Sequence, residues 1–213
     1  MERGKLIVLE GINGCGKGAQ LFSLARYIYE SDKSKLVFVT REPNILDENG
    51  MLARGMLKRD GDPYSNGLEA VRYFAENRKS HNELFLPLIE RGVDVLTDRY
   101  WHSNFAFQHA QGVSYQEIAN TNKGSLVSDL TLILDVPSRV AFERLRRRDG
   151  DERRKFDSDI SFLDSVRSNY LELPDVLSNL IGEENVVLVD ASGSIERVAS
   201  SIETIYDASL RIF

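Results

Sequence analysis

The sequence predicts a three-layer α/β fold, in which a five-stranded parallel sheet has helices on both faces. Short runs rich in Val, Ile and Leu alternate along the chain with segments whose apolar residues recur at helical spacing. Strands that are separated by helices are joined by right-handed crossovers, which make the strands parallel and cover both faces of the sheet. A chain of 213 residues with 42% hydrophobic residues can bury one sizeable core, so we expect residues 1–213 to form a single domain.

Each predicted strand is a short apolar run bounded by charged or turn-forming residues. The five strands are expected at residues 6–9, 36–39, 93–97, 130–134 and 186–189. A helix should begin at Lys17 and a long helix should run from about Leu68 to Arg91, with Pro87 as a candidate bend. Pro137 marks the start of another helix. The apolar stripe of the last helix comprises Ile195, Val198, Ala199 and Ile202.

Two stretches are predicted to be irregular. Residues 47–67 are rich in Asp, Gly and Asn and are expected to form a loop with a short helix. Residues 144–155 are dense in Arg and also contain the run Asp-Gly-Asp, so we expect an exposed loop that interrupts a helical region.

The composition narrows the class of protein. Acidic residues (33) outnumber Lys and Arg (27), so the net charge of −6 argues against a nucleic-acid polymer as partner. The single cysteine, Cys15, excludes an intrachain disulfide and favours a reducing compartment. No apolar run approaches the ~18 residues of a membrane helix, so we expect a soluble, cytoplasmic protein without a membrane partner.

Residues 11–18 lie between the first strand and the first helix, which is the position of a phosphate-binding loop. Glycines let consecutive backbone N–H groups converge on one anion, and the helix N-terminus adds partial positive charge. Lys17 would supply a full charge to the β- and γ-phosphates. We therefore predict that ATP binds here. The residues assigned to it are Gly11, Ile12, Asn13, Gly14, Cys15, Gly16, Lys17, Gly18 and Ala19.

Gly18 departs from the usual loop, in which a Ser or Thr follows the lysine and binds Mg²⁺ through its hydroxyl. The run GCGKGAQ resembles the loop of adenylate kinases and UMP/CMP kinases, which read GKG at this point. In those families water and nucleotide oxygens hold most of the metal. The resemblance therefore implies that Mg²⁺ is retained with weaker direct ligation by the protein.

Two motifs follow predicted strands, where the ligand crevice of such sheets lies. Arg41, within the tetrapeptide TREP, can clamp a second phosphate with two hydrogen bonds, although a surface turn is an equally simple interpretation. Asp98 and Arg99 end the third strand, where a carboxylate for a metal and a cation for a phosphoryl group are needed. The alternative for these two residues is a strand-terminal ion pair.

Phe74, Arg78 and His81 share one face of the long predicted helix. An aromatic ring with a guanidinium one turn away suits a nucleobase, by stacking and by hydrogen bonds to carbonyl oxygens. The alternative is a core phenylalanine beside a solvated arginine.

Taken together, the motifs resemble the thymidylate kinase family of nucleoside monophosphate kinases. The similar segments fall in the family's order and span nearly the whole chain. They are LIVLEGINGCGKGAQ, TREP, FAENRKSH, DRYWHSNFAFQ, SDLTLILDVP, RRKFD, NYLEL and DASGSIERV.

This resemblance implies a role for each matching residue. Arg41 and Arg99 would hold the acceptor phosphate, Phe74 would stack on thymine, and Arg78 would contact its O4 edge. Asp98 would organise Mg²⁺, through water. The matches that line the nucleoside pocket are Ser103, Phe107 and Gln108. The Arg-rich stretch matches the family's mobile lid, at about residues 146–157, and its candidates for stabilising transferred charge are Arg148, Arg153 and Arg154.

The family also implies an adenine-side loop at residues 191–193 and a homodimer. Three positions depart from the family pattern. Asn13 stands where members usually carry Asp or Glu, which contacts the sugar hydroxyl, and Gly14 stands where some members carry a catalytic Arg. The lid reads Lys-Phe-Asp at residues 155–157 where members commonly have Arg-aromatic-Glu.

The implied reaction is transfer of the γ-phosphoryl group of ATP to dTMP, which gives dTDP and ADP. A kinase for another nucleoside monophosphate is the first alternative, favoured by the GKG loop and Asn13. A nucleotide-binding regulator that has lost catalysis is the second, favoured by Gly18 and Asn13. A decayed enzyme would be expected to lose some of its charged site residues. All four are present: Lys17, Arg41, Asp98 and Arg99.

Overall fold

The computed structural model describes residues 2–58, 62–149, 159–183 and 185–210. All five predicted strands are present, and each extends by one or two residues beyond its expected carboxyl end. The elements in chain order are β1 (Leu6–Glu10), α1 (Lys17–Ser31), β2 (Leu36–Arg41), α2 (Glu48–Lys58), α3 (Gly67–Glu90), β3 (Val93–Asp98), α4 (His102–Ala110), α5 (Tyr115–Thr121), β4 (Leu130–Asp135), α6 (Ser138–Asp149), α7 (Ile160–Ile181), β5 (Val186–Asp190) and α8 (Ile195–Leu210).

The five strands form one parallel sheet in the order β2-β3-β1-β4-β5. Strand β1 is central and every residue in it is buried, as its uninterrupted apolar sequence requires. Helices α1 and α8 pack together on one side, while α3, α4 and α7 pack together on the other. The predicted three-layer α/β class is therefore confirmed.

The carboxyl ends of the middle strands meet at one edge of the sheet. Asp98 at the end of β3 is in register with Leu9 on one side and with Arg41 on the other. In a parallel sheet this edge faces the ligand crevice. The register therefore brings the phosphate-binding loop, Arg41 and the Asp98-Arg99 pair to the same place.

Two predictions about helices need correction. The Arg-rich stretch is not a loop at its start, because α6 continues through residues 144–149. Arginine is a good helix former, and cations in the last turn interact favourably with the helix dipole. Within residues 47–67, the short helix that the sequence predicts is α2, which has 11 residues. Ile195 is 57% exposed, so the buried stripe of α8 consists of Val198, Ile202 and Tyr206.

The long helix α3 continues through Pro87 and ends three residues later. The proline is exposed, so its ring lies on the solvent side of the helix. No helix within the described ranges combines the length and the apolar character that a membrane span needs.

Candidate active site

A pocket of about 550 Å³ opens at the carboxyl edge of the sheet, between α1, α3, α4 and α6. It collects most of the residues that the sequence predicted for both nucleotides. Those lining it are Asn13, Gly14, Gly16, Lys17, Gly18, Ala19, Arg41, Phe74, Arg78, Asp98, Arg99, Ser103, Phe107, Gln108 and Arg148. The volume lies within the range of small-molecule sites.

The phosphate-binding loop meets α1 at Gly16, which adopts a left-handed backbone with φ of 102°. No side chain in the described part of the chain caps this end of the helix, and its first turn has no acidic residue. The first amides of α1 therefore stay available to an anion, and the dipole favours one. Lys17 folds back over the loop, where its Nζ donates to the carbonyls of Gly11 and Ile12 at 3.0 Å each.

Gly14 and Gly18 lie in different surroundings. A Cβ at Gly14 would approach the carbonyl oxygen of Ala141 in α6 to 2.5 Å and Leu145 Cγ to 3.0 Å. Helix α6 therefore closes over Gly14 and leaves no room for the arginine that some family members carry there. A Cβ at Gly18 would have no heavy atom within 4 Å, so the absent hydroxyl at that position has no steric cause.

Arg99 is held by partners from three elements. Its Nη2 donates to Asn13 Oδ1 at 2.5 Å, and its Nη1 donates to Ser103 Oγ and to the Tyr170 hydroxyl at 3.2 Å each. The guanidinium also lies 4.9 Å from the centre of the Phe107 ring, within cation–π distance. The backbone of Arg99 has φ of 74°, an uncommon conformation for a residue with a side chain and one that clusters at functional sites.

Glu10, which directly follows the first predicted strand and received no role from the sequence, holds several residues of this region in place through hydrogen bonds. Its fully buried carboxylate accepts hydrogen bonds from the Tyr100 and Ser103 amides, from Ser103 Oγ and from the Tyr170 hydroxyl, at 2.7–3.1 Å. Burial, together with the Glu10 charge, raises the pKa of Tyr170 well above its ordinary value, so the phenol remains a donor. Burial alone would lower the pKa of Arg99, but the negative charges of Glu10 and Asp98 outweigh burial and raise this pKa above its ordinary value.

Asp98 supplies a carboxylate that can still accept a hydrogen bond or bind a metal. Its Oδ1 is buried and has no hydrogen-bond partner among the described residues, while the side chain lines the pocket. A buried oxygen without a partner is costly unless a ligand satisfies it. No group of three or more His, Cys, Asp or Glu that could hold a metal by itself occurs in the described ranges. Asp98 can therefore offer a metal one carboxylate oxygen, with other ligands coming from water or nucleotide.

The part of the pocket wall that α3 contributes carries Phe74 and Arg78. Phe74 is half-buried, whereas Arg78 is 1% exposed, which neither prediction for this pair anticipated. Arg78 Nε donates to Glu42 Oε2 at 2.8 Å, and Nη1 donates to the side chains of Asn104 and Asn122. These contacts fix the guanidinium and leave Nη2 without a partner among the described residues. A planar donor held in this way can address a base edge.

Some predicted residues do not line the pocket. Gly11, Ile12 and Cys15 belong to the phosphate-binding loop but face away from the pocket. His81 is buried behind the wall, where its ring nitrogens lie 2.8 Å from Thr40 Oγ1 and 3.4 Å from Glu42 Oε1. Arg153 and Arg154 lie outside the described residues.

Other residues were missed by sequence reasoning. Arg54, Asn104 and Arg144 line the pocket. Arg144 is one helical turn before Arg148, so helical spacing in the Arg-rich stretch was the signal that could have found it. Its guanidinium lies 3.5 Å from the carbonyl oxygen of Ala191, which places α6 against the predicted adenine-side loop.

Comparison with known proteins agrees with this site. The model of the thymidylate kinase family matches residues 9–202. A probable thymidylate kinase of Pyrococcus horikoshii is 31% identical over 203 residues, which cover 94% of both chains. One from Staphylothermus marinus is 33% identical over 95% of this chain and 94% of its own. A thymidylate kinase of Nitrosomonas europaea is 31% identical over 97% of this chain and 94% of its own. A family match over nearly the whole chain, with the family's motifs gathered at one pocket, leads to one conclusion: the chain belongs to the thymidylate kinase family.

Proposed function

We propose that this protein is a thymidylate kinase, which transfers the γ-phosphoryl group of ATP to dTMP and releases dTDP and ADP. The observation that carries the proposal is that one pocket is lined both by the phosphate-binding loop and by Phe74 with Arg78. Arg41 and Arg99 line the same pocket, where they could hold the phosphates of two nucleotides. The family membership and the named relatives support the same reaction.

The chemistry we propose relies on positioning and charge. A phosphate acceptor is already nucleophilic, so the reaction requires no strong general base. Lys17 and the first amides of α1 would hold the β- and γ-phosphates of ATP, while Arg41 and Arg99 would hold the phosphate of dTMP. Phe74 would stack on thymine, and Arg78 would donate to its O4. Arg148, at the carboxyl end of α6, would reach the transferred charge from the lid side.

We also propose Mg²⁺ as the metal. The buried Oδ1 of Asp98, which has no partner among the described residues, fits a hard cation that prefers oxygen ligands. When bound, Mg²⁺ would neutralise phosphate charge. Because Gly18 offers no hydroxyl, Asp98 would bind through water and the nucleotide would supply other oxygens.

The test is the rate of ADP release with dTMP, dUMP, UMP, CMP and AMP in turn as acceptors. We expect dTMP to be the best acceptor. Phe74→Ala should raise KM for dTMP about tenfold or more, since base–aromatic stacking is worth about 1–3 kcal/mol, without changing KM for ATP. Phe22→Ala, at a ring that is 60% exposed on α1, is the matched control. Strong turnover of AMP or CMP with none of dTMP would refute the proposed substrate. Full activity of Lys17→Ala would refute the assignment of the ATP site.

A homodimer is the quaternary state we propose. Large apolar side chains are exposed on α2 and just before it: Ile45 (57%), Leu46 (78%), Met51 (58%) and Leu52 (39%). Such clusters on a protein surface commonly mark contacts with another chain. Met51→Lys should convert a dimer to a monomer in light scattering, and a wild-type monomer would refute the proposal. A cytoplasmic location stays a prediction from the single cysteine.

A further inference from the structure

A chain of side-chain amides lies behind the base-side wall of the pocket. Gln111 Nε2 donates to the backbone carbonyls of Pro63 at 2.7 Å and Ser65 at 2.9 Å. Gln108 Nε2 donates to Gln111 Oε1 at 3.0 Å, and Asn104 Nδ2 donates to Gln108 Oε1 at 3.0 Å. The chain thus leads from the segment before α3, through Gln111 outside the pocket, to two residues that line it.

The hydrogen bonds at the two ends of this amide chain require the same orientation of its side-chain amides. Backbone carbonyls only accept, so Gln111 must turn its nitrogen toward Pro63 and Ser65 and its oxygen toward Gln108. At the other end Arg78 Nη1 donates to Asn104 Oδ1 at 3.2 Å, and a guanidinium has no acceptor. A reversed amide anywhere between these ends would set two donors or two acceptors against each other in a buried place, which costs free energy.

This direction decides what the pocket offers to a base. Asn104 is 1% exposed and Gln108 is 2% exposed, and both line the pocket. Each amide nitrogen has a second N–H, for which no described residue supplies an acceptor. Each amide oxygen keeps a second lone pair, so the fixed direction decides where the wall offers an N–H donor and where it offers an acceptor. Arg78 Nη2 supplies a further donor. A base with a carbonyl at position 4 beside an N–H at position 3 matches a donor beside an acceptor, whereas an amino group at position 4 would place donor against donor.

We propose that Gln111 is a positioning residue that keeps this amide chain in one direction, so that the pocket selects a base with a carbonyl rather than an amino group at position 4. The inference rests on the proposed function, because it takes a pyrimidine monophosphate as the occupant. Gln111 does not touch the substrate. It acts by presenting an acceptor to Gln108 Nε2 while the carbonyls of Pro63 and Ser65 prevent its own amide from turning.

Two substitutions separate the direction of the chain from its anchoring. Gln111→Lys can still donate to the two carbonyls but cannot accept from Gln108, so it opposes the native direction. Gln111→Glu still accepts from Gln108 but cannot donate to the carbonyls, so it keeps the direction and loses the anchor. Gln111→Met removes the acceptor without adding charge. Gln116→Lys, on an exposed part of α5, is the matched control.

The readout is the ratio of kcat/KM for dTMP to that for 5-methyl-dCMP, two nucleotides that differ only at position 4 and the adjacent N3 proton. Because both carry the same phosphate, a charge at position 111 changes both values alike and leaves the ratio unaffected. We expect Gln111→Lys to lower the ratio about tenfold, the equivalent of one buried hydrogen bond. Gln111→Met should lower it in the same direction, while Gln111→Glu and Gln116→Lys should stay within about threefold of wild type.

Three outcomes would overturn the inference. An unchanged ratio in Gln111→Lys and Gln111→Met would show that the direction of the chain does not set the base preference. Equal losses in Gln111→Lys, which keeps the anchor, and Gln111→Glu, which keeps the direction, would show that the base preference does not follow the direction of the chain. A wild-type enzyme without preference for dTMP over 5-methyl-dCMP would overturn this inference and the proposed base preference together, which distinguishes that case from a failure at Gln111 alone.

Discussion

Three glycines of the phosphate-binding loop should respond differently to the same added methyl group. Gly14→Ala meets two costs: a left-handed backbone with φ of 82°, worth about 1–2 kcal/mol, and overpacking against α6, worth about 1–3 kcal/mol. Gly16→Ala meets backbone strain alone, at φ of 102° with open space around its Cβ, for about 2 kcal/mol. Gly18→Ala meets neither, because its φ is not positive and its Cβ is unobstructed.

We therefore expect the unfolding free energy of Gly18→Ala to exceed that of wild type by about 0.4–1 kcal/mol. Gly16→Ala should be less stable than wild type, and Gly14→Ala should be the least stable variant. Urea denaturation of the three variants measures this order, and circular dichroism of the native states shows whether each one folds. Gly14→Ala should also weaken ATP binding, because it pushes α6 and its Arg148 away from the loop.

The comparison of Gly14 with Gly16 is the decisive one. If Gly14→Ala unfolds no more easily than Gly16→Ala, then α6 does not close over the loop as the 2.5 Å approach to Ala141 requires. If Gly18→Ala is the least stable of the three, then Gly18 does not have open space beside it. The second result would refute the conclusion that the absent hydroxyl at Gly18 has no steric cause.

Other predictions concern buried groups. Tyr170→Phe removes the donor 2.7 Å from the Glu10 carboxylate, so we expect urea denaturation to show a loss of about 1.5–3 kcal/mol and initial rates to show lower kcat/KM for dTMP. Unchanged stability would contradict it. Burial raises the pKa of Glu183, but attraction to His102 and hydrogen bonds outweigh this and lower it below its ordinary value. The stability that the ionised Glu183 contributes is thus present above about pH 4.5 and is lost as the pH falls through the folded-state pKa. Glu183→Gln should therefore destabilise the protein by about 1.5–3 kcal/mol at pH 7, the usual range for hydrogen bonds to a charged group, and by less at pH 3; an equal loss at both pH values would contradict the linkage. Asp98→Asn should raise the Mg²⁺ concentration for half-maximal activity about tenfold or more, as loss of a group that holds a metal through water commonly does, and an unchanged Mg²⁺ titration would refute the role of Asp98 at the metal site.

Much of the fold is determined by residues that lie close together in the sequence. The five strands are short apolar runs between turn-forming residues, and the phosphate-binding loop is a glycine pattern whose backbone requirements are met within eight residues. The prediction of a loop at the start of the Arg-rich stretch was wrong because the many charges conceal the helical spacing of the apolar residues. Leu145, which is buried in the structure, reveals that spacing. High charge indicates exposure, but it does not indicate whether the backbone is helical.

The site depended on the fold in other ways. From its position in the sequence, Glu10 is merely the end of a strand, yet the sheet brings it under Tyr100, Ser103 and Tyr170, as many as 160 residues away. Arg78 was expected either at a base or in water, and its buried partner Glu42 lies 36 residues earlier in the chain.

The sequence by itself determined the fold class, the family and the residues that can carry phosphate chemistry, because those follow from hydrophobic periodicity and from motifs that are contiguous in the chain. Only the tertiary structure decided which groups neutralise and orient one another, such as the amide chain through Gln111 or the helix that closes over Gly14. The physical reason is that hydrogen bonds and steric contacts act over a few ångströms in space, while the order of strands in the sheet brings distant parts of the chain within that range.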